Sequence, residues 1–358
     1  MSNVLSFMPR NGVNPAGFGS LTSMVANQRR ARGDVFWLKE NAEWLGILVS
    51  MRAQVGAEAL APYAPFYEAI RTQLEFFPQY YRFFLSICLD LEDLGAGSNQ
   101  GEALCSWVAT QGAPEAELSD LQRGEAARLL ARRGVRPDPC DGYLPDRLHR
   151  FIDRSDTFAL PNKKAAYELA HIVFYLSDYG HVDPQLSDKA AVSLEYAGLL
   201  AFLDQDIDLL AEICAALRFS GLTPSPIWEG LVQDAHHSCR LVNGGQGAAN
   251  DAYHGYLVTG WLAHMTGSRA FASPVPTGQV AVQGALSGQG ALRRLSETLF
   301  DLGSDRVPDW SRMRGRVFSD LGGDAQQVIV AAERSSPMFD AFFEGFARAA
   351  TAEMASLA

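Results

Sequence analysis

The sequence predicts an all-α protein, built as an irregular α/α toroid or bundle-like array of antiparallel helix pairs with at most one very short β element. Three observations predict this class. Apolar residues recur at helical spacing along most of the chain. Short turns separate consecutive helical segments, which favours antiparallel neighbours. Hydrophobic residues make up 47% of the 358 residues and charged residues 20%, which is typical of a chain that buries a substantial core.

The chain begins with a polar stretch rich in glycine and asparagine, and we expect residues 1–32 to form a flexible tail. The remainder, 33–358, is expected to be a single large helical domain. If that domain is divided, the boundary is expected around residues 134–145, where three prolines make an irregular connector.

Local signals place the helices of the first half. An amphipathic pattern predicts a helix over 34–55, and a second helix begins near Phe66. Pro78 is expected in the first turn of a helix that stops at Gly95, and Ser119 is expected to cap a further helix.

The second half is predicted to be a succession of helices joined by short turns. Residues 279–282 are the expected short strand. The acidic residues Asp204, Asp206 and Asp208 are interpreted as the cap of a helix that begins near Ile207. The predicted helices are 162–180, 187–203, 206–219, 225–242, 250–266, 288–302, 312–320, 323–333 and 336–357.

Charge and composition exclude several function classes. The net charge is −11 and the basic runs are short, which argues against nucleic-acid binding and against strong attraction to anionic membranes. No apolar run approaches the roughly 18 residues that span a bilayer.

The five cysteines are widely spaced and form no C-x-x-C pair, so reduced thiols are expected. Together these features predict a cytoplasmic protein whose partner is a small-molecule substrate. They do not indicate an oligomeric state.

Three short motifs carry the chemistry that the sequence suggests. Each places an acidic residue three positions before a histidine. On a helix these positions share one face, so one motif offers an oxygen and a nitrogen to the same metal ion, as in di-iron carboxylate bundles. The motifs are Glu168–His171, Asp234–His237 (with His236 beside it) and Asp251–His254.

The first motif belongs to a polar seam. At about 100° per residue, His171, Tyr175 and Asp178 lie within about 80° of Glu168. One interpretation is an ordinary solvated helix face. The other is a buried site, because residues 165–186 contain no lysine or arginine.

His254 is predicted to point into the apolar face of its helix with Asp251 at the edge. It is interpreted either as a metal ligand or as a core histidine with one satisfied hydrogen bond. Glu212 borders an apolar stripe and is a further candidate ligand, and His236 and His237 are held in reserve.

The leading hypothesis is a metal-dependent enzyme. Carboxylates and imidazoles without thiolates favour iron or manganese over zinc, and an iron-dependent oxidation of a small organic substrate is the expected reaction, ahead of zinc-dependent hydrolysis. Tyr175 and Asp178 are the expected catalytic neighbours. Two alternatives stay open: a non-catalytic helical binding or scaffold protein, and a metal-free α/α-barrel enzyme that uses Asp and Glu as acid and base. The metal ligands predicted from sequence are Glu168, His171, Glu212, His236, His237, Asp251 and His254.

Overall fold

The computed structural model describes residues 15–137, 141–244, 251–284 and 288–349. These residues are mostly helical and contain one two-stranded sheet, which confirms the all-α class with a very short β element. None of the helices in these ranges is both long enough and apolar enough to cross a bilayer.

The helices of the first half follow the predicted order, with α1, α3 and α6 as additions. Short 3₁₀ turns at Ala61–Tyr63 and Pro78–Tyr80 lead into the helices that follow them. The elements are α1 (Pro15–Met24), α2 (Val35–Ser50), α3 (Ala57–Leu60), α4 (Ala64–Phe76), α5 (Tyr81–Asp93), α6 (Gly101–Thr110) and α7 (Asp120–Ala131).

The second half continues in the same way after the proline-containing connector. Its elements are α8 (Leu144–Ile152), α9 (Ser155–Phe158), α10 (Lys163–Leu176), α11 (Asp188–Asp204), α12 (Ile207–Phe219), α13 (Pro226–Ser238), β1 (Arg240–Asn243), α14 (Tyr253–Met265), β2 (Val280–Gln283), α15 (Leu292–Asp301), α16 (Trp310–Asp320), α17 (Gly323–Ser335) and α18 (Phe339–Phe346).

Side-chain caps fix several helix starts. Ser119 caps α7 as predicted, because its hydroxyl accepts a hydrogen bond from the Gln122 amide. Asp206 caps α12 by accepting from the Leu209 amide. The cap of α12 is therefore Asp206, and this leaves Asp208, two residues further on, available for another role.

Part of the segment expected to be a flexible tail is folded. Residues 15–24 form α1, and a π-helical turn continues to Arg29. Phe18, Leu21, Met24 and Val25 are buried. These four residues recur at helical spacing, and the surrounding polar residues hid that pattern in the composition of the segment. Residues 1–14 lie outside the described ranges.

Several helix ends differ from the prediction. Helix α13 ends at Ser238, and residues 240–243 instead form β1, which pairs antiparallel with β2 in the register Leu241↔Val282. Helix α18 ends at Phe346, whereas the predicted helix extends to residue 357. Residues 350–357 of that predicted helix lie outside the described ranges.

Helix α12 organises the part of the fold that carries the site. Every residue from Leu209 to Leu217 is buried, because α12 packs against α10, α11, α13 and α14. Helix α2 packs against α5 and α14. Polar side chains on α2, α10, α12 and α14 are thereby brought together. Buried apolar residues on both sides of the connector at 134–145 belong to one hydrophobic cluster.

Candidate functional site

His254, in the first turn of α14, lies among three carboxylates from two other helices. Its Nδ1 is 3.3 Å from Glu43 Oε2 on α2. Its Nε2 is 3.5 Å from Asp208 Oδ2 and 3.4 Å from Glu212 Oε1, both on α12. These separations exceed the usual 2.7–3.2 Å of an N–H···O hydrogen bond, so the contacts between His254 and the three carboxylates are long.

The three carboxylates keep His254 charged. Burial alone lowers the pKa of an imidazole, but the hydrogen bonds to Glu212 and Glu43 and the nearby negative charges outweigh it. The pKa of His254 rises to about 11, so the ring is an imidazolium at neutral pH.

Glu212 has a buried carboxylate oxygen that accepts no hydrogen bond from any described residue. The residue is only 2% exposed, and the oxygen is Oε2. His171 Nδ1 on α10 lies 3.6 Å from this oxygen, but it is 2.8 Å from the backbone oxygen of Tyr167 and donates its hydrogen there. An unpaired buried carboxylate oxygen is costly, and a hydrogen-bond donor or a cation placed beside it would lower that cost.

Asp208 is a group that titrates close to neutral pH. Burial raises its pKa to about 6, although the positive charge of His254 acts in the opposite direction. The Tyr167 hydroxyl donates to Asp208 Oδ2 at 3.0 Å, while Oδ1 accepts no hydrogen bond from any described residue. Asp208 and Glu212 are four residues apart on α12 and so share one helix face.

A cavity of about 390 Å³ opens beside this cluster. Its polar lining includes Glu43, His171, Glu212 and His254. Its aromatic lining is Phe174, Tyr179 and Trp261, which contact one another with ring centroids 5.3–6.0 Å apart. The volume is suited to a small organic molecule.

Three arginines also line the cavity, and each is held by acidic side chains of the protein. Arg128 binds Asp178 at 2.8 Å and lies over the Tyr179 ring. Arg132 contacts Asp90 and Asp93 at 2.7 Å each. Arg133 contacts Glu92 at 2.9 Å and Asp93 at 3.0 Å. The guanidinium groups are therefore neutralised within the protein.

The backbone turns sharply where it meets the cavity. Asp178 and Tyr179 have φ angles of +44° and +54°, a left-handed conformation that is costly for residues other than glycine. The Ser50 hydroxyl donates to the Tyr179 carbonyl at 3.1 Å and accepts from Trp261 Nε1 at 3.3 Å. These contacts fix the aromatic part of the lining.

Comparison of the sequence with known families finds one family that covers most of the chain. The family model described as "Domain of unknown function (DUF6902)" matches residues 1–349. The chain belongs to the DUF6902 family. No curated protein and no solved structure matches it.

The structure of this DUF6902 protein brings together three of the seven ligands predicted from sequence: His171, Glu212 and His254. Asp251 is not with them, because both of its carboxylate oxygens are bound by Arg29 at 2.8 Å. Asp251 precedes α14, which begins at Tyr253. The rule that positions i and i+3 share a helix face therefore does not hold for Asp251 and His254.

Glu168 also lies away from the cluster. It is on α10 about 60° around the helix from His171, and its carboxylate is 3.8 Å from the exposed ammonium of Lys164. The polar seam is thus divided: His171 lines the cavity, and Glu168 is outside its lining and pairs with Lys164.

His236 is a core histidine. Its Nε2 accepts from the Phe271 amide at 3.2 Å, so Nδ1 donates to the Thr259 hydroxyl at 3.1 Å. Burial lowers its pKa to about 4, which keeps it neutral. His237 contacts the backbone oxygen of Arg269. Neither residue lines the cavity.

Of the two predicted catalytic neighbours, Asp178 lines the cavity, but Arg128 binds its carboxylate. Tyr175 is not among the lining residues and packs beside Gly124 on α7. Among the residues that the structure describes, no group of three or more His, Cys, Asp or Glu side chains is arranged to hold a metal ion.

Sequence reasoning missed Glu43, Asp208 and Tyr167. Asp208 was interpreted as part of a helix cap, yet its spacing of four residues from Glu212 marked a shared helix face. Glu43 gave a weaker signal: it lies three residues after Glu40 on α2, so the two carboxylates share one helix face. Tyr167 immediately precedes the first motif.

Proposed function

We propose that this protein is an enzyme that acts on a small organic molecule by acid–base chemistry of the carboxylate–imidazole cluster. One observation carries the proposal: three carboxylates surround His254, two of them (Glu43 and Glu212) in the cavity lining, and the buried Glu212 keeps one oxygen without a hydrogen-bond donor. Polar groups with shifted pKa values around a cavity are typical of catalytic sites.

Asp208 is the proton-transfer group in this proposal. It does not line the cavity itself but lies directly beside two lining residues, His254 and Glu212. With a pKa of about 6 it is mostly ionised at neutral pH but takes up a proton readily, which is the property that a general base needs. The hydrogen bond from Tyr167 fixes the orientation of its carboxylate.

His254 and Glu212 have separate roles. The His254 imidazolium partly neutralises the carboxylates and holds them around one point, so it is a positioning residue. Glu212 lines the cavity, and in this proposal its Oε2, which has no hydrogen-bond donor, binds the substrate. His171 and the aromatic side chains complete the binding surface.

A divalent metal, with iron or manganese preferred, is the second candidate. The observation in its favour is that His254 Nε2 faces one oxygen each of Asp208 and Glu212. His254, Asp208 and Glu212 would hold the ion, which would take the place of the proton on Nε2 and would supply Lewis-acid chemistry. The side chains have to move closer around the ion, because they are not arranged as a metal site in this structure.

We also propose a cytoplasmic location. The thiols of Cys88, Cys105 and Cys214 are buried and unpaired, as expected in a reducing compartment. The proposed partner is a small-molecule substrate, since the cavity has the volume for one.

The test is untargeted mass spectrometry of a cell extract incubated with the protein. We expect at least one small molecule to be consumed by the wild type and not by Asp208→Asn. Asp305→Asn is the matched control, because the Asp305 side chain is 74% exposed. Running the assay with a chelator and with added Fe²⁺, Mn²⁺ or Zn²⁺ separates the two chemistries. If no compound depends on Asp208 under any condition, the protein is a binding or scaffold protein instead.

A further inference from the structure

The charges around Glu212 do not balance. Three carboxylates, those of Glu43, Asp208 and Glu212, share the single positive charge of His254. Lys39 lies 3.7 Å from Glu43, but its side chain is 45% exposed and it contacts only the outer carboxylate. Negative charge therefore remains at the inner carboxylates, where Glu212 is 2% exposed.

The arginines of the cavity do not supply the missing charge. Arg128, Arg132 and Arg133 each contact at least one carboxylate of α5 or of the turn after α10. Releasing one of them leaves its own partner unpaired, which is strongly unfavourable in a partly buried site. The compensating cation has to come from the ligand.

The rest of the lining is suited to an organic group. Trp261 contacts Phe174 with a centroid distance of 5.3 Å, and Leu257 and Val258 extend the apolar surface from the same helix. Aromatic faces attract organic cations through their π electrons, so a carboxylate beside an aromatic surface recognises an ammonium group with an apolar substituent.

We propose that the cavity binds a small organic amine, with its protonated nitrogen at Glu212 Oε2 and its apolar part against Trp261 and Phe174. This inference rests on the proposed function, because it names the substrate class of the same site. It follows from the buried oxygen without a donor, from the committed arginines and from the aromatic lining.

Isothermal titration calorimetry with three probes of one shape tests the inference. Benzylamine, benzyl alcohol and benzoate share a ring and differ in charge. We expect benzylamine to bind at least about tenfold more tightly than either of the others, a difference of about 1.4 kcal/mol. Equal affinity for all three probes, tighter binding of benzoate or no binding by any of them overturns the proposal.

Two variants locate the ammonium group. Glu212→Gln is expected to lower benzylamine affinity about tenfold or more. Glu43→Gln, at a half-buried position that tolerates substitution better, is expected to lower it by a smaller factor. Glu344→Gln on α18 is the exposed control. If benzylamine affinity is the same in all folded variants, the nitrogen does not bind at this cluster.

The outcomes separate the two proposals. If benzylamine binds but the protein turns over no compound, the proposal of an amine ligand stands and the proposal of an enzyme is wrong. If the protein turns over an anionic compound in an Asp208-dependent reaction, the proposal of an enzyme stands and the proposal of an amine ligand is wrong.

Discussion

Two charge clusters, one around Arg29 and one around His254, take residues from the same two segments of the chain but differ in how closely their charged groups are paired. Glu40 and Glu43 are three residues apart on α2. Asp251, just before α14, and His254, in its first turn, are also three residues apart. In the first cluster, Arg29 binds Glu40 at 2.7 Å and Asp251 at 2.8 Å. In the second cluster, His254 faces its carboxylates at 3.3–3.5 Å.

The difference lies in how completely the acceptors are satisfied. Arg29 donates to both oxygens of each partner and to the Val280 carbonyl, and Asp251 also accepts from the Val282 amide. Despite its burial, hydrogen bonds from Arg29 and Val282 hold the pKa of Asp251 below its usual value. The His254 cluster keeps unpaired oxygens on two carboxylates. A saturated cluster fixes structure, and the unsaturated cluster is the one at which we propose that a ligand binds.

Breaking the saturated cluster should have the largest effect. Arg29→Ala leaves Glu40 and Asp251 without their main donor, and we expect a loss of about 3–5 kcal/mol in the free energy of unfolding. Urea denaturation measures it. Arg71→Ala, which removes an exposed ion pair with Glu75, is the control and should cost less than about 1 kcal/mol. A loss for Arg29→Ala as small as that of the control would mean that the cluster does not hold the N-terminal helix.

Asp208→Asn should show the reverse behaviour. We expect turnover of the substrate to fall by about 10²–10⁴, while the variant unfolds at the same or a slightly higher urea concentration, because the amide needs no buried charge. Asp305→Asn should leave both quantities unchanged. A variant that is strongly destabilised and still active would assign Asp208 to structure.

The pH dependence of stability should separate the two residues of the unsaturated cluster. The pKa of His254 is raised from 6.5 to about 11, so its contribution is complete below pH 6.5 and is lost as the pH rises through about 11. The difference in unfolding free energy between wild type and His254→Asn should therefore shrink with rising pH. The Asp208 pKa is raised from 3.8 to about 6, so stability relative to Asp208→Asn should increase as the pH falls through 6. A pH-independent difference for either variant would contradict the assigned charge states.

The smallest effect is expected for Tyr175→Phe. Tyr175 lies outside the cavity lining, so turnover should change less than about threefold, and unfolding free energy by less than about 1 kcal/mol. Enzyme assays and urea denaturation measure the two quantities. A large loss of turnover would instead extend the site towards α7, where Tyr175 packs.

Local patterns were sufficient to predict most of the helices and the Ser119 cap, because periodicity and capping depend on residues close in sequence. They also identified three candidate site residues: His171 on a polar seam, and Glu212 and His254 at apolar faces. The pairing of Asp251 with His254 was not predictable in this way, since it assumed one continuous helix through both residues. The segment before Tyr253 is not helical, and Arg29, 222 residues away in the chain, determines where Asp251 points.

Glu43 and Asp208 could not be assigned to one site from sequence for a related reason. They lie 165 residues apart on different helices, and only the packing of α2 and α12 around α14 brings both to His254. Helical periodicity indicates which face is buried but does not identify the helix that covers it.

The contacts of Arg29 also constrain the order in which the protein folds during synthesis. The side chain closes on Asp251 and on the Val280 carbonyl, 222 and 251 residues further along the chain. At about 5–20 residues per second, a ribosome needs on the order of tens of seconds to make that stretch. During this interval the apolar face of α1 is already outside the ribosome, while Asp251 and Val280 have not yet been synthesised. The N-terminal segment is consequently among the last parts to become native, and it is the part for which a nascent-chain chaperone has the longest opportunity to bind.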